Sequence, residues 1–361
     1  MSTRARSTRD HKAREGLSAL PLPRDLLPME AKLVDRLPTG GGWQYEPKWD
    51  GFRCLAFRNA SEVALRSKSG RDLTRFFPEV RAMLQGLPEP RFAIDGELAI
   101  ARDGTLSFDA LQLRLHPAET RIKRLAAETP ATFIIFDCLL DARGRSLLEA
   151  PLAERRQALE AFYRSVPHQQ WLWLSPYTLD RSEAQRWLEK SGGALDGVVA
   201  KQEDAPYRPG ERAMLKVKRM RTADCVVGGF RYETGSRLAG SLLLGLYDEE
   251  GLLHHVGFTS GISHAERPEL TRRLEELVEP PGFTGDAPGG PSRWSTERSG
   301  EWEPLRPELV VEVSYDHMTG NRFRHGTRLL RWRPDKSPRQ CTFDQLEREL
   351  SPQIIAELLE H

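Results

Sequence analysis

Four strand-length apolar stretches of this chain are each interrupted by charged residues, and this constrains the fold more than any other feature. The interruptions are Lys48-Trp49-Asp50-Gly51 in YEPKWDGFRCLAFR, Asp95-Gly96-Glu97 in RFAIDGELAI, Asp196-Gly197-Val198-Val199-Ala200-Lys201 in LDGVVAKQED and Lys216-Val217-Lys218 in AMLKVKRM. A lysine or carboxylate in an apolar strand is costly unless it lines a polar cavity. Taken singly, each motif has a plainer reading. KxDG and DGE also make strand-end turns, and Lys-Val-Lys also makes the wet face of an edge strand. Taken together, they predict segments far apart in sequence gathered around one pocket. Alternation puts Lys216 and Lys218 on the same side of their strand. Two like charges on one face call for an anion between them, and a triphosphate meets that need.

The rest of the chain sets the frame. Its 361 residues suffice for two or three domains. A net charge of +1 gives no general affinity for polyanions. The charge is uneven, however: Arg208–Arg221 holds six basic residues against one acid, and Asp316–Arg339 seven against two. Such local patches suit a surface that tracks phosphates. Cys54, Cys138, Cys225 and Cys341 lie far apart, without CxxC or paired-His spacing. That argues against structural zinc and a disulfide framework, and points to a reducing cytoplasm. No run approaches the length of a membrane span. The basic start MSTRARSTRDHKAREG lacks a following apolar segment, so residues 1–20 read as a disordered basic tail rather than a secretory signal.

Along the chain, CLAFRN and EVALRS read as a hairpin around Asn59–Ala60–Ser61. FFPEVRAMLQGL and SFDALQLRL read as helices, and ATFIIFDCLL as a buried strand. EAPLAERRQALEAFYRSV is a helix with proline near its start, and SEAQRWLEKSGG one capped by Ser182 and closed by glycines. After Arg221 the texture becomes Gly-punctuated and β-rich, in ADCVVGGFRYE, GSLLLGLYD, LLHHVGFTS and ELVVEVSYD. One helix, SHAERPELTRRLEELV, and a Pro/Gly-rich loop intervene. This pattern suggests a small barrel of OB type beyond a boundary near residue 221.

The ordered motifs resemble the covalent nucleotidyltransferase superfamily: ATP-dependent DNA ligases, RNA ligases and mRNA capping enzymes. They are most similar to bacterial ATP-dependent DNA ligases of the end-joining type, namely ligase C and the ligase part of ligase D. The segment SYDHMTGNRFRHGTRLLRWRPDK looks most like ligase C. The resemblance covers residues 20 to 345 with all six family motifs in order. It implies an α+β fold: an adenylation (nucleotidyltransferase) domain of antiparallel sheets and flanking helices over 21–221, then an OB-fold β-barrel with C-terminal helices over 222–361.

The implied reaction has three phosphoryl transfers. Lysine attacks the α-phosphate of ATP, AMP passes to a DNA 5′-phosphate, and a 3′-OH displaces AMP. Lys48 would be the nucleophile. A free lysine, with a pKa of about 10.4, is protonated at neutral pH. Nearby positive charge favours the reactive amine, and Lys216, Lys218 and a divalent metal, Mg2+ or Mn2+, would supply it. Under the resemblance Glu46 and Arg53 bind the nucleotide, Arg53 at the ribose and later at a DNA phosphate. Glu97 binds the ribose and supports metal-assisted steps. Phe136 stacks on adenine, although it also reads as plain core. Asp196 takes the place of a metal-associated glutamate, one methylene shorter. Lys216 and Lys218 hold the α-phosphate and the transition-state charge. Lys201 faces either pocket or solvent. Lys68 stands where most relatives carry arginine and cannot form its bidentate fork, so Arg66 or Arg71 are alternatives for that role. Arg333 and Lys336, with Asp335, orient the pyrophosphate.

The implied partners are nicked or broken double-stranded DNA and end-joining or repair proteins. The implied state is a monomer at the bacterial nucleoid, in the cytoplasm. The residues before Lys48 leave no room for a large DNA-encircling domain, which implies a minimal ligase with salt-sensitive binding. Two rivals are an RNA ligase or GTP-using capping enzyme, and a catalytically silent OB-type nucleic-acid-binding protein. The ligase C-like barrel speaks against the first. The intact set Lys48, Glu97, Lys216 and Lys218 speaks against the second.

Overall fold

The computed structural model describes residues 16–102, 105–167, 171–190, 195–289 and 301–346. The chain divides into two compact units between Arg219 and Met220.

The first unit is built on two sheets. The five-stranded sheet runs in the order Glu62–Ser67, Phe52–Asn59, Arg91–Ala99, Thr132–Leu140 and Leu172–Leu174. All of Thr132–Leu140 is buried, as a continuous apolar run requires of a strand covered on both faces. Alternation then sorts the neighbouring strands. Cys54, Ala56 and Ile94 pack with Val80 and Leu84 of the Pro78–Gly86 helix and with Leu159 and Phe162 of the Leu152–Ser165 helix. Leu55, Phe57 and Ala93 face the other way, toward Leu26, Met29, Tyr207 and Met214. The hairpin turns at Ala60, which adopts a φ of 52°, with Asn59 opposite Glu62. The four-stranded sheet runs in the order Ala31–Leu33, Met214–Val217, Leu195–Gln202 and Trp43–Trp49. Pairing is antiparallel except at one edge of each sheet, where Ala31–Leu33 and Leu172–Leu174 join in parallel.

Two helices differ from the sequence expectation. Asp180, not Ser182, caps Arg181–Lys190, since its carboxylate accepts from Ser182 N at 2.8 Å. The turn begins earlier because Thr178, tied to Tyr45 across the sheet edge, accepts from Asp180 N at 3.0 Å. The glycines expected to close this helix lie outside the described residues. The helix Glu119–Glu128 was not anticipated. Its apolar residues Ile122, Leu125 and Ala126 stand at helical spacing, and Ile122 and Ala126 are buried, so the period was present but unread.

The second unit carries a sheet in the order Leu253–Thr259, Ala239–Tyr247, Arg221–Tyr232, Val310–Tyr315 and Arg328–Trp332, with Glu303–Pro304 beside Arg221–Tyr232. Its two outer strands meet. Thr259 bridges Thr327, donating its hydroxyl to Thr327 O at 3.0 Å, and Thr327 N donates to Phe258 O at 3.1 Å. This bridge joins the two outer strands at one end, and the unit is consistent with an OB-fold barrel. Leu270 and Leu274 of the Arg267–Glu275 helix pack into its core with Phe230, Leu242 and Val311. Residues 1–15 of the expected tail and residues 347–361, where C-terminal helices were expected, lie outside the described residues.

Candidate active site

Both sheets of the first unit contribute to a cavity of about 180 Å³, whose walls include Lys48, Arg53, Glu97, Phe136 and Lys216. A bulge organises its floor. Along the Trp43–Trp49 strand, Trp49 pairs with Leu195 and Pro47 with Val198. One extra residue is therefore accommodated at Asp196-Gly197. Gly197 adopts a φ of +135°, and a Cβ there would lie 2.0 Å from Val217 O, so only glycine fits. The bulge sets Asp196 Oδ2 2.5 Å from Lys48 Nζ and 3.3 Å from Lys218 Nζ. Gly51 serves the same close packing just after Lys48, since a Cβ would meet Leu98 O at 2.2 Å.

The lysines of the sequence motifs do converge. The Lys216 ammonium is depressed there. Burial first, then the charges of Lys48, Lys218 and Lys68, lower its pKa, with Asp196 opposing. Lys68 lines the cavity and pairs with Glu30 at 3.0 Å. Of its two alternatives, Arg66 is spent on Arg24 O and the Phe57 ring, and Arg71 lines a neighbouring groove.

On the opposite wall, Arg53 and Glu97 are register partners on adjacent strands. The Arg53 guanidinium does not stand free. Its Nε and Nη2 donate to the two oxygens of Asp95, each at 2.6 Å, and its plane lies 4.5 Å from the Phe136 ring centroid. Burial opposes the Arg53 charge, but Asp95 outweighs burial and raises the pKa above its ordinary value. Burial pushes the Glu97 carboxyl up to about 8, with Arg53 and Lys48 opposing and Asp50 and Asp95 reinforcing. Phe136 is both core and wall: it packs with Trp49 and Leu195 and also lines the cavity. Lys201 faces the cavity rather than solvent. Its Nζ lies 4.9 Å from the Phe136 centroid and 2.7 Å from Glu46 Oε2, and both partners are buried. Gln44 Nε2 donates to the other Glu46 oxygen at 2.7 Å.

Among the described residues no three His, Cys, Asp or Glu side chains cluster as a metal site. Glu97 and Asp196 both interact with Lys48. Mg2+ is commonly held by one or two carboxylates plus substrate phosphates. This pair therefore fits a cation that arrives with a nucleotide, not a resident structural metal.

Arg333 and Lys336 lie in the second unit and form a charged cluster of their own. Asp224 takes Arg333 Nη1 at 2.8 and 3.0 Å and Lys336 Nζ at 2.7 Å. Asp335 takes the other edge of Arg333, with Nη2 at 2.9 Å, and this hydrogen bonding holds the Asp335 carboxyl down at about 2. Among the network residues unassigned in the sequence are Asp95, Asp224 and Tyr207, whose hydroxyl donates to Asp95 Oδ2 at 2.5 Å. Only Asp95 had a signal, as the first acid of an interrupted strand.

The chain matches the family model of the ATP dependent DNA ligase domain over residues 28–218 and that of the ATP dependent DNA ligase C terminal region over 235–336. It is 46% identical over 349 residues to DNA ligase C2 of Mycolicibacterium smegmatis, spanning 91% of this chain and 96% of that protein. It is 44% identical over 352 residues to DNA ligase C of Mycobacterium tuberculosis, spanning 92% and 96%. With the multifunctional non-homologous end joining protein LigD of M. smegmatis it shares 32% identity, over 84% of this chain and 37% of that protein. A solved Lig E DNA ligase superposes with a TM-score of 0.53 at 18% identity, covering 84% of this chain and 99% of that one, a likeness of fold. The chain belongs to the ATP-dependent DNA ligases.

Proposed function

We propose that this ATP-dependent DNA ligase joins 5′-phosphate and 3′-OH termini of nicked or broken double-stranded DNA through an adenylate carried on Lys48 Nζ. The observation that carries this reading is Lys48 Nζ, 2.5 Å from Asp196 and inside a cavity walled by an aromatic ring and a second, depressed lysine. In the first step a bond forms between Lys48 Nζ and the α-phosphorus, the bridging P–O bond breaks, and pyrophosphate leaves. Nζ must lose a proton to attack, and Asp196 Oδ2 is within hydrogen-bond reach to take it. Lys216 and Lys218 hold the α-phosphate oxygens as charge builds on them. Glu97 and Asp196 would hold a divalent cation, Mg2+ or Mn2+, which would supply further positive charge to those oxygens. In the second step an oxygen of the DNA 5′-phosphate displaces Lys48, which takes a proton back. In the third the 3′-OH attacks the 5′-phosphorus and AMP leaves.

Phe136 accepts any purine, so the choice of ATP over the GTP of a capping enzyme rests on the family, the ATP dependent DNA ligase domain matched over residues 28–218. The name of the LigD relative supports a place in end joining. Among the described residues no helix is long and apolar enough to cross a membrane.

The test is sealing of a nicked duplex with a labelled 5′-phosphate, using ATP or GTP, with DNA or RNA on the nicked strand. The reading expects ATP-dependent sealing of the DNA nick. Sealing confined to RNA, or driven by GTP, contradicts it.

A further inference from the structure

Asp95, the acid that holds Arg53, has a second partner. The Tyr207 hydroxyl donates to Asp95 Oδ2 at 2.5 Å and accepts from Met29 N at 2.9 Å. Met29 O in turn accepts from Arg53 Nη2 at 3.3 Å. Four residues thus close a ring, from Arg53 to Asp95, Tyr207, Met29 and back to Arg53. Tyr207 and Asp95 are 1% and 0% exposed. Burial first, then Asp95, raises the Tyr207 pKa well above its ordinary 10.0, so the hydroxyl stays a donor at working pH. Met29 and Arg53 line the cavity, and Tyr207 stands behind them. The segment after Tyr207 is also laced to the wall at residues 28–31. Arg208 N donates to Met29 Sδ at 3.4 Å, Glu30 N to Glu211 O at 2.7 Å and Met214 N to Glu30 O at 3.1 Å.

A carboxylate held only by Arg53 is free to turn with it. Holding one oxygen of Asp95 from a second direction fixes the carboxylate plane, and with it the guanidinium plane against Phe136. Such a fork transmits orientation, not charge alone. We infer that Tyr207 is a positioning residue for nucleotide binding. It acts through Asp95 on the plane of Arg53, without touching the nucleotide. This rests on the cavity being the ATP site.

Tyr207→Phe tests it. The change keeps the ring and its contact with the Arg155 guanidinium at 5.6 Å, and removes the link. In self-adenylation of the full chain, the KM for ATP should rise about tenfold, the loss of one hydrogen bond to a charged group. The rate at saturating ATP should change by less than about threefold, as expected when binding common to the ground and transition states is lost. In an Arg53→Lys background the same substitution should have little further effect, because residues in one network are not additive. A tyrosine with a merely structural role would lower the melting temperature and the labelled fraction. It would leave the KM of that fraction unchanged and add its cost independently of Arg53. An unchanged KM, or additivity with Arg53→Lys, overturns the inference. If Tyr207→Phe does not fold, Asp95→Asn replaces it, with the same expected rise in KM and the same non-additivity. Wild-type protein that takes up no label from ATP would sink the reading of the cavity itself. A labelled wild type with an unchanged KM in the variant sinks this inference alone.

Discussion

Glu97 sits between Arg53 and Lys48, yet burial holds its carboxyl at about 8 against an ordinary 4.5. The unfolded chain gives up this proton near 4.5, the folded chain only near 8. The nucleotide-free protein therefore loses stability as pH rises across that window, and the deficit is complete above it. Glu97→Gln has no proton to lose. Below pH 4.5 the two proteins should differ little. By pH 8.5 the variant should be the more stable, by on the order of 2–4 kcal/mol, from the size of the shift. Urea unfolding at pH 5 and pH 8.5 without nucleotide checks this, and a stability difference that does not change with pH contradicts it. The same variant should lose about 100-fold or more in self-adenylation, the scale of removing one group that stabilises transition-state charge. On the proposed reading, stability is given up here for a carboxyl group beside Lys48.

The bulge at Asp196-Gly197 decides what its strand presents to the cavity. A one-residue shift moves side chains to the opposite face. That is why the facing of Lys201 was open in the sequence and is settled by the fold. Gly197→Ala forces a Cβ to 2.0 Å from Val217 O at a φ of +135°. It should cost more than the roughly 1–3 kcal/mol of an ordinary strained residue, and slow self-adenylation by moving Asp196 from Lys48. Gly40→Ala is the control, with a φ of +96° and nothing within 4 Å of the added atom. It should cost only about 1 kcal/mol and leave the rate unchanged. Chemical denaturation and labelling rates of both variants check this, and equal effects would remove the bulge from the account. Elements whose burial is periodic or continuous were legible, such as Thr132–Leu140 and the hairpin at Ala60. The three-residue parallel edges were not, because they are too short to carry a pattern; the Glu119–Glu128 helix went unread although Ile122, Leu125 and Ala126 stand at helical spacing. Site lysines were legible because each breaks an apolar run. Tyr207 and Asp224 were not, since their meaning comes from partners 112 and 109 positions away in the chain.

At the scale of the whole molecule, the proposed chemistry is divided between two units. Lys48, Glu97, Asp196, Lys216 and Lys218 belong to the first, Arg333 and Lys336 to the second. If the second pair serves only the leaving pyrophosphate, Arg333→Ala and Lys336→Ala should each cut self-adenylation by about 100-fold. Sealing of a nick that already carries 5′-adenylate should stay within about threefold of wild type. Equal losses in both assays would instead make this cluster a DNA contact. The central claim is the adenylate on one lysine. The full chain is incubated with metal and ATP labelled at the α-phosphate, digested without acid, and the labelled peptide sequenced by mass spectrometry. The account predicts AMP on Lys48 alone and no label on Lys48→Ala. Label on any other residue, or a Lys48→Ala variant labelled at the wild-type rate, would contradict it.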